Sequence, residues 1–470
     1  MKKRVLCILL AGLTALCAAG CGKSDDTGAS RSGSAAGEDA DEEAEEEEED
    51  DEADADGKQE ADAEDADIAG KLCGKWNFVC ANEGFAGADP EDWYFHMAED
   101  DGGIRKEIEF YLDEGILYAD YQMQEYEWSN TCYHLPVTIE EGALYETCDN
   151  TEWYATVRHP DLESLKISVT LTDDDEMMSY ERYDTEYEDG TSTYLVFTTF
   201  VKEGSEAEEH ASDFRYDRIV EVSTAEELIA AIGDHTKILL NEGDYNLSGI
   251  ANRTDTRKVW FDPWGFGTDH IVIHNVNCLC IAAKDGADVT ISTDAPDQPV
   301  LQFNDSKYVF LDGIKCVHNV PAGGCTGSVI YTDGVYDLRI SNCNLNGSGT
   351  YGLECDNTTL IRCTDSEIEH CTNGIMWLSE CYSASFDNCD MHDNVSSSMI
   401  MLYNSCDVWF ADCEFSNNVI DEGSYASTFV APIAESSNIG FRRCMFRDNV
   451  YPDFSNGAEI FLEDCKFSDQ

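Results

Sequence analysis

Two polar side chains in the C-terminal half have the types and spacing needed for acid–base chemistry. His370 and Asp393 lie 23 residues apart, each in a polar stretch between short apolar segments. If successive segments stack, their backbones lie about 5 Å apart, and a carboxylate beside an imidazole orients the ring and raises its pKa. The pair is therefore a candidate general base. The alternative is that both residues belong to a solvated column of polar turn residues. The other candidates in this neighbourhood are His392, Glu369, Tyr351 and His318.

A second candidate surface carries positive charge. Arg339 and Arg362 occupy the same outward position on neighbouring segments. Stacked like charges cost energy unless an anion lies over them. Asp337 or Asp365 can supply that anion internally, and a bound uronate or sulfate is the alternative. Trp409 follows at the same outward position and can stack on a sugar ring, so these residues are candidates for ligand binding.

The segments that would position these residues form a repeat from residue 307 to residue 470. Apolar residues lie four and two residues before a recurring slot and one and three residues after it, which predicts two short strands around a tight corner. Asn and Asp tolerate the left-handed backbone of such a corner, and their stacked amides can hydrogen-bond along the column. A third strand follows at 374–378 and at 398–402. The slot residues are Gly313, Asn342, Asp365, Asn388, Asp412, Arg443 and Asp464.

Three strands and three turns per repeat are typical of one coil of a parallel β-helix. The pattern resembles the right-handed parallel β-helix superfamily of pectate-lyase-like and surface repeat proteins, over residues 217–470. The resemblance implies an active groove along the turn-and-strand face that carries His370. The chain lacks the paired aspartates, Gly-His-Gly and Arg-Ile-Lys elements of polygalacturonases. It also lacks a clear calcium cluster with the basic residue of pectate lyases, so calcium stays open without a defined site. Unrelated strands of a β-sandwich are the structural alternative.

The N-terminus has the features of an export signal. Residues 1–20 combine basic residues, an apolar run and small residues at the exit, which is typical of a signal peptide. The small residues before Cys21 resemble a bacterial lipobox, and the resemblance implies cleavage there and a lipid on the Cys21 sulfur. Ordinary secretion is the alternative. Residues 21–69 contain a run in which 20 of the 30 residues from Glu38 to Asp67 are acidic, which predicts a disordered tether.

The formal net charge of −67 limits the possible partners. Nucleic acid, anionic lipid and polyuronate ligands are disfavoured unless cations intervene. Neutral glycans, cationic peptides and calcium-bridged ligands remain compatible. The membrane contact is predicted to be the lipid on Cys21 alone, because no other stretch is long and apolar enough to span a bilayer. The oligomeric state is left open.

A separate small domain precedes the repeat. Residues 70–202 contain strand-like segments at 106–111, 116–122, 153–157, 165–171 and 193–201, which predict a small antiparallel β-barrel. Its Gly-x-Trp opening at Trp76 resembles the lipocalin-like start. Residues 203–216 form a polar linker. A helix with Thr224 as its N-cap and Gly233 as its stop is then predicted to cap residues 217–470.

The 21 cysteines allow two interpretations. An exported chain of this kind favours disulfides, and coils about 4.8 Å apart permit them. Several cysteines instead occupy one inward column, where a small thiol packs well; this favours free thiols. No cysteine pair has zinc-finger spacing, so no metal site is predicted. The column cysteines are Cys343, Cys389, Cys413, Cys444 and Cys465.

Together these features predict an all-β protein with an acidic tether, a small barrel and a β-helix. We expect a lipid-anchored protein on the extracellular face of the bacterial cell membrane. It would bind a glycan or another envelope component through the lateral face of the β-helix, without catalysis. The alternative is a polysaccharide lyase or glycoside hydrolase that uses His370 and Asp393.

Overall fold

The computed structural model divides the chain into two compact units, with the boundary between Phe214 and Arg215. The predicted lipidation site Cys21, the acidic tether and the predicted strand at 153–157 lie outside the residues that the structure describes. Across the described residues, no helix is long and apolar enough to cross a bilayer. The described residues are 69–88, 94–98, 104–125, 128–140, 143–146, 165–171, 176–187, 190–261, 270–347, 349–420 and 427–468.

The first unit contains one antiparallel sheet that closes on itself. Each strand from β3 to β9 pairs with the next in the chain, β1 pairs with β3, and β9 pairs back with β1. β2 lies along the far end of β1. This confirms the predicted small antiparallel barrel, although β2, β5, β6 and β8 were not predicted. The strands are β1 (Gly74–Phe85), β2 (Tyr94–Met97), β3 (Ile104–Asp113), β4 (Ile116–Glu125), β5 (Trp128–Glu140), β6 (Ala143–Glu146), β7 (Leu165–Leu171), β8 (Glu176–Tyr187) and β9 (Gly190–Lys202).

The Gly-x-Trp opening of the barrel has a structural role. Trp76 is 1 % exposed, and its indole Nε1 donates a hydrogen bond of 2.7 Å to the carbonyl of Leu72. Gly74 has a φ of +127°, and a Cβ there would lie 2.9 Å from the side chain of Lys202. The positive φ therefore favours glycine at this position, and the flexible end of Lys202 packs over it. The likeness to lipocalins stays a prediction.

Two short helices precede and open the second unit. Helix α1 spans Glu206–Glu209, and helix α2 spans Ala225–Ala231. The hydroxyl of Thr224 accepts a hydrogen bond of 3.2 Å from the amide of Glu227, as a capping box requires. The apolar side of α2 is buried in the core of the second unit, which fits its predicted role as a cap. Helix α2 has Ile232 as its C-cap, so the predicted stop Gly233 is the first residue after the cap.

Three long sheets run along the second unit, and we name each one by how many strands it contains. The ten-stranded face consists of Arg218–Val222, Thr236–Leu240, Asn277–Ala283, Lys307–Asp312, Tyr336–Ser341, Thr359–Thr364, Tyr382–Asp387, Cys406–Ala411, Ser437–Arg442 and Phe461–Glu463. The nine-stranded face consists of Gly243–Asn246, Val289–Thr293, Lys315–His318, Asn344–Asn346, Glu367–Glu369, Asp390–His392, Glu414–Ser416, Met445–Arg447 and Lys466–Phe467. The eight-stranded face consists of Val259–Phe261, Ile271–His274, Leu301–Asn304, Ile330–Asp333, Tyr351–Asp356, Gly374–Ser379, Ser398–Tyr403 and Thr428–Ile433. A short sheet pairs Val395–Ser396 with Val419–Ile420.

All pairings in the three faces are parallel except that of the first two strands of the eight-stranded face. The chain visits each face in turn once per coil, so the second unit is the predicted parallel β-helix. All seven slot residues have a positive φ, between 50° and 67°, as the corner prediction requires. Val309 lies over Leu338, which lies over Ile361; all three are fully buried. The predicted inward columns are therefore in register.

The predicted inward columns are buried in every coil except the last. Phe410 stacks on Phe386 and on Phe441 with ring centroids 4.8 and 4.7 Å apart, which continues one apolar column through the core. Leu462 and Phe467 lie at the ends of two such columns, yet they are 48 % and 47 % exposed. No further coil of the described chain stacks on them.

A ladder of buried asparagines runs along one corner of the β-helix. Asn394, Asn418 and Asn449 follow their slots by six residues and are at most 5 % exposed. The side-chain oxygen of Asn418 accepts from both the backbone and the side-chain amide of Asn394. Asn449 repeats this arrangement with Asn418. The slot column also hydrogen-bonds along itself, as between Asn388 and Asp365, but the buried ladder lies at a position that was not predicted.

Every cysteine whose side chain the structure describes is a free thiol, and most are buried. Cys389 and Cys363 have their sulfur atoms 3.8 Å apart, on neighbouring coils. Burial raises the pKa of Cys371 and of Cys381 to about 12. These thiols therefore pack as small apolar groups, which agrees with the second of the two interpretations.

Burial leads to a prediction for thiol chemistry. In the native protein at pH 8, Cys406 and Cys465 are expected to react with a thiol-specific reagent, whereas Cys355 and Cys371 react only after unfolding, because the thiolate is the nucleophile. Peptide mapping by mass spectrometry measures each site separately. Cys406→Ser should remove one fast site and leave the others unchanged. Rapid labelling of Cys355 in native buffer would contradict the packing described above.

Candidate functional site

Three consecutive strands of the nine-stranded face present only polar side chains to solvent. Their central residues, Leu345, Ile368 and Met391, are fully buried, so the residues on either side must point outward. Asn344, Glu367 and Asp390 form one outward column, and Asn346, Glu369 and His392 form the other. We call these six residues the polar patch. The sequence pattern of the strands therefore sets which groups meet there.

His392 lies between two carboxylates. Its Nε2 is 2.6 Å from Oε1 of Glu367, on the preceding coil. Its Nδ1 is 2.8 Å from Oδ2 of Asp393, the next residue in the chain. Burial acts to lower the pKa of His392, but the hydrogen bonds to Glu367 and Asp393 outweigh it, and the pKa is raised. The ring is therefore fixed in position with a negative group at each nitrogen.

Glu369 is the most heavily bonded member of the polar patch. It accepts hydrogen bonds from the side-chain amides of Asn344, at 2.9 Å, and Asn346, at 2.8 Å. His370 Nδ1 lies 2.9 Å from its other oxygen. Burial acts to raise the pKa of Glu369, but the two amides and the imidazoles of His370 and His392 together lower it. Glu369 therefore stays ionised.

The predicted pair of His370 and Asp393 does not form a hydrogen bond. Asp393 binds His392, and His370 binds Glu369, because each imidazole finds its carboxylate on the adjacent residue of the same strand or turn. The two imidazole rings lie 6.5 Å apart, edge to face. Four of the predicted candidates thus share one surface, but with a different pairing.

Two other candidates are not part of the polar patch. Tyr351 belongs to the eight-stranded face, and its hydroxyl contacts Met401 Sδ at 3.4 Å; burial raises the pKa of Tyr351 to about 12. His318 is 3 % exposed, and its Nε2 lies 2.8 Å from the carbonyl of Gln298. Burial lowers the pKa of His318. Both side chains therefore act in packing.

The arginine pair has an internal anion. Asp337 is 1 % exposed and accepts two hydrogen bonds from the guanidinium of Arg339, at 3.0 and 2.7 Å. Arg362 Nη1 lies 3.9 Å from the same carboxylate. Trp409 lies further along the same ten-stranded face, and its ring stacks on Phe461 with ring centroids 6.1 Å apart. Asp337 therefore takes the position that a bound uronate or sulfate would have filled.

Glu367, Asn344, Asn346 and Asp390 were not predicted from the sequence. The sequence repeat does contain a signal for them. All four residues lie two or four residues after a slot, at outward positions of the same face. Burial raises the pKa of Asp390, and the charge of Glu367 adds to the increase, against an opposing effect of His392. Ligand atoms of Glu367, Glu369 and His392 all lie within 4.8 Å of one another, so these three residues could hold a metal ion.

Residues 328–470 match the family model described as the right handed beta helix region. The matched stretch includes the whole polar patch and the asparagine ladder. No protein of curated function matches the chain. The domain fits a glycan-binding or pectate-lyase-like protein, but a fold alone does not establish a function.

Proposed function

We propose that this protein, whose C-terminal unit is a parallel β-helix, is lipid-anchored at the bacterial cell surface and binds a polar glycan without cleaving it. The observation that carries the proposal is the polar patch. Its amides, carboxylates and imidazole repeat at the coil spacing of about 4.8 Å on one sheet face. Such a regular array of donors and acceptors suits the hydroxyl groups of a linear polymer.

The charge of the molecule favours a neutral glycan. The patch contains Glu367, Glu369 and Asp390, and the net charge of the whole chain is −67. A polyuronate or sulfated chain would be repelled from this surface. A neutral chain can instead donate hydroxyl hydrogens to the carboxylates, and such charge-assisted bonds are strong.

Catalysis is the second candidate, because one specific observation favours it. His392 is fixed by Glu367 and Asp393, and its pKa is raised by those hydrogen bonds against the effect of burial. A general base or acid requires such an oriented imidazole. A lyase or hydrolase would use His392 with Glu369 or His370 beside it.

The test is binding of the full-length protein to a glycan panel, with analysis of the products. We expect retention of a neutral glycan and no new oligosaccharide. Glu369→Gln should weaken binding about 10- to 100-fold, because a hydrogen bond to a charged group contributes about 1.5–3 kcal/mol. Trp409→Ala on the ten-stranded face is the matched control and should bind normally.

Two outcomes would contradict the proposal. Release of unsaturated or hydrolysed oligosaccharide, lost in His392→Gln, would make the protein an enzyme. Loss of binding in Trp409→Ala with normal binding in Glu369→Gln would move the site to the ten-stranded face.

The lipid anchor is proposed from the sequence around Cys21. The lipobox resemblance and the acidic run after it suit a protein held at the membrane by a long tether. Mass spectrometry of the N-terminal peptide of the mature protein tests this. A peptide that begins at Cys21 and carries the mass of a diacylglycerol is expected, and an unmodified Cys21 would refute the anchor.

A further inference from the structure

We propose that Glu367, Glu369 and His392 bind a divalent transition-metal ion of the Zn²⁺ or Co²⁺ class. The two glutamates come from one strand, and the histidine comes from the strand stacked on it. A bound ion would therefore link two neighbouring coils on the nine-stranded face. It would do so whether or not this face also binds a glycan.

The geometry supports one shared ion. Oε1 of Glu367 lies 2.6 Å from Nε2 of His392, and the three ligand atoms all lie within 4.8 Å of one another. Bonds of about 2.0–2.2 Å place two ligands of one ion no more than about 4.4 Å apart. Small rotations of the glutamate side chains are enough to close the set around an ion.

The charges around the three residues also favour a cation. Glu367 and Glu369 point to the same side of one strand, where two carboxylates repel each other. In the described parts of the chain, their ion pairs are with histidines only. The nearest arginine on this face, Arg447, pairs with Glu414. A divalent ion would supply a full positive charge to Glu367 and Glu369, which among the described residues pair only with histidines.

The surroundings of His392 match those of a metal-binding histidine. Such a histidine usually donates its second ring N–H to a carboxylate, which fixes the tautomer and orients the ring. Asp393 lies 2.8 Å from Nδ1 of His392 and can hold the proton there, leaving Nε2 for the metal. Asn346 and Asn344 orient Glu369 in the same way.

One buried atom at the site has no partner. The side-chain oxygen of Asn344 is buried and accepts no hydrogen bond among the described residues, while its nitrogen donates to Glu367 and Glu369. The two ends of an amide have the same shape, so a half-turn of the side chain exchanges them. With a cation present, that turn would bring the Asn344 oxygen towards the ion as a fourth ligand, and Asn346 would still orient Glu369.

The ligand types select the kind of metal. Imidazole nitrogen is a good ligand for Zn²⁺, Co²⁺ and Ni²⁺, whereas Ca²⁺ and Mg²⁺ prefer oxygen ligands alone. The acidic run at 38–67 would bind many divalent ions weakly and without this preference. Selectivity for Co²⁺ or Zn²⁺ over Ca²⁺ therefore distinguishes the site from the acidic run.

The experiment is a Co²⁺ titration of the reduced, chelator-treated full-length protein, followed by visible absorption. We expect the protein to bind one equivalent of Co²⁺ saturably, with an absorption spectrum typical of nitrogen and oxygen ligands. Zn²⁺ should displace the bound Co²⁺, whereas the same concentration of Ca²⁺ should not. Glu367→Gln and His392→Gln should each weaken Co²⁺ binding at least about 10-fold. Asp393→Asn should weaken Co²⁺ binding about 10- to 100-fold, because Asp393 positions the His392 ring. Because these side chains lie on the surface, circular dichroism should show all three variants folded.

Controls separate this site from other sources of metal binding. Glu414→Gln changes the carboxylate that follows Asp390 in the same outward column and should leave the Co²⁺ equivalent unchanged, as should Cys406→Ser. Intense thiolate charge-transfer bands, or equal titrations of the wild type and His392→Gln, would overturn the proposal. The titration contains no glycan, so its failure would leave the glycan-binding proposal standing, and the reverse also holds.

Discussion

Replacing Asn418 with alanine is expected to reduce the free energy of unfolding of the β-helix by about 3–5 kcal/mol. The side chain makes four hydrogen bonds, to Asn394, Met391 and Asn449. Its loss leaves the backbone amide of Asn394 buried without its partner and removes one hydrogen bond each from the carbonyl of Met391 and the side chain of Asn449. Each unsatisfied buried group costs about 1–3 kcal/mol, and the cavity adds to this cost. Urea unfolding, followed by circular dichroism, measures the change.

The neighbouring asparagine provides a matched control. Asn417 is exposed and has a φ of +54°, so Asn417→Gly keeps the corner and removes only a solvated side chain. We expect its unfolding midpoint to stay close to that of the wild type. A similar loss in both variants, or a loss below about 1 kcal/mol in Asn418→Ala, would show that the ladder does not stabilise the coils.

The ladder also shows how far the sequence could predict the fold. A β-helix repeats one position per coil, so apolar residues such as Val309 and Leu338 identify the columns without any coordinates. Asn394, Asn418 and Asn449 recur just as regularly, six residues after their slots. Their burial was not predicted, because an asparagine in a turn is equally compatible with water. Only the stacked coils show that this corner closes against the core.

The candidate site illustrates a different limit. The spacing of His370 and Asp393 correctly places both residues at the same corner of neighbouring coils. It does not determine which carboxylate each imidazole contacts, since side-chain rotation moves a polar atom by several ångströms. Within the described residues, His392 contacts Asp393 along the chain and Glu367 diagonally across coils. The diagonal contact between His392 and Glu367 can be predicted only when both the strand register and the side-chain rotamers are known.

The arginine pair explains why positive charge alone is weak evidence for a ligand. Arg339 lies over the ring of Phe310, with its guanidinium carbon 4.9 Å from the centroid, and Asp337 holds it there. Both contacts use the planar, forked group that would otherwise bind an anion. The pair therefore stabilises the ten-stranded face, and this role can be measured.

Replacing Asp337 with asparagine is expected to reduce the free energy of unfolding by about 2–3 kcal/mol. Breaking a fully buried ion pair costs about 3–5 kcal/mol, and the cost here is smaller because the Arg339 side chain is 19 % exposed. Asparagine has the same shape and tolerates the φ of +61° at this position, so the change tests charge rather than backbone strain. Urea unfolding again provides the measurement.

Two comparisons make the Asp337→Asn result specific. Asp412→Asn removes an exposed partner of Arg443 and should leave the unfolding midpoint unchanged, because solvent screens exposed pairs. In a double-mutant cycle, Asp337→Asn should cost less when Arg339 is already methionine, since the arginine then leaves no unpaired charge. Equal costs in both backgrounds would mean that Asp337 acts through its other contacts. The single variant would also free Arg339 and Arg362 to bind sulfate, so sulfate should restore part of its stability and none of the wild type's.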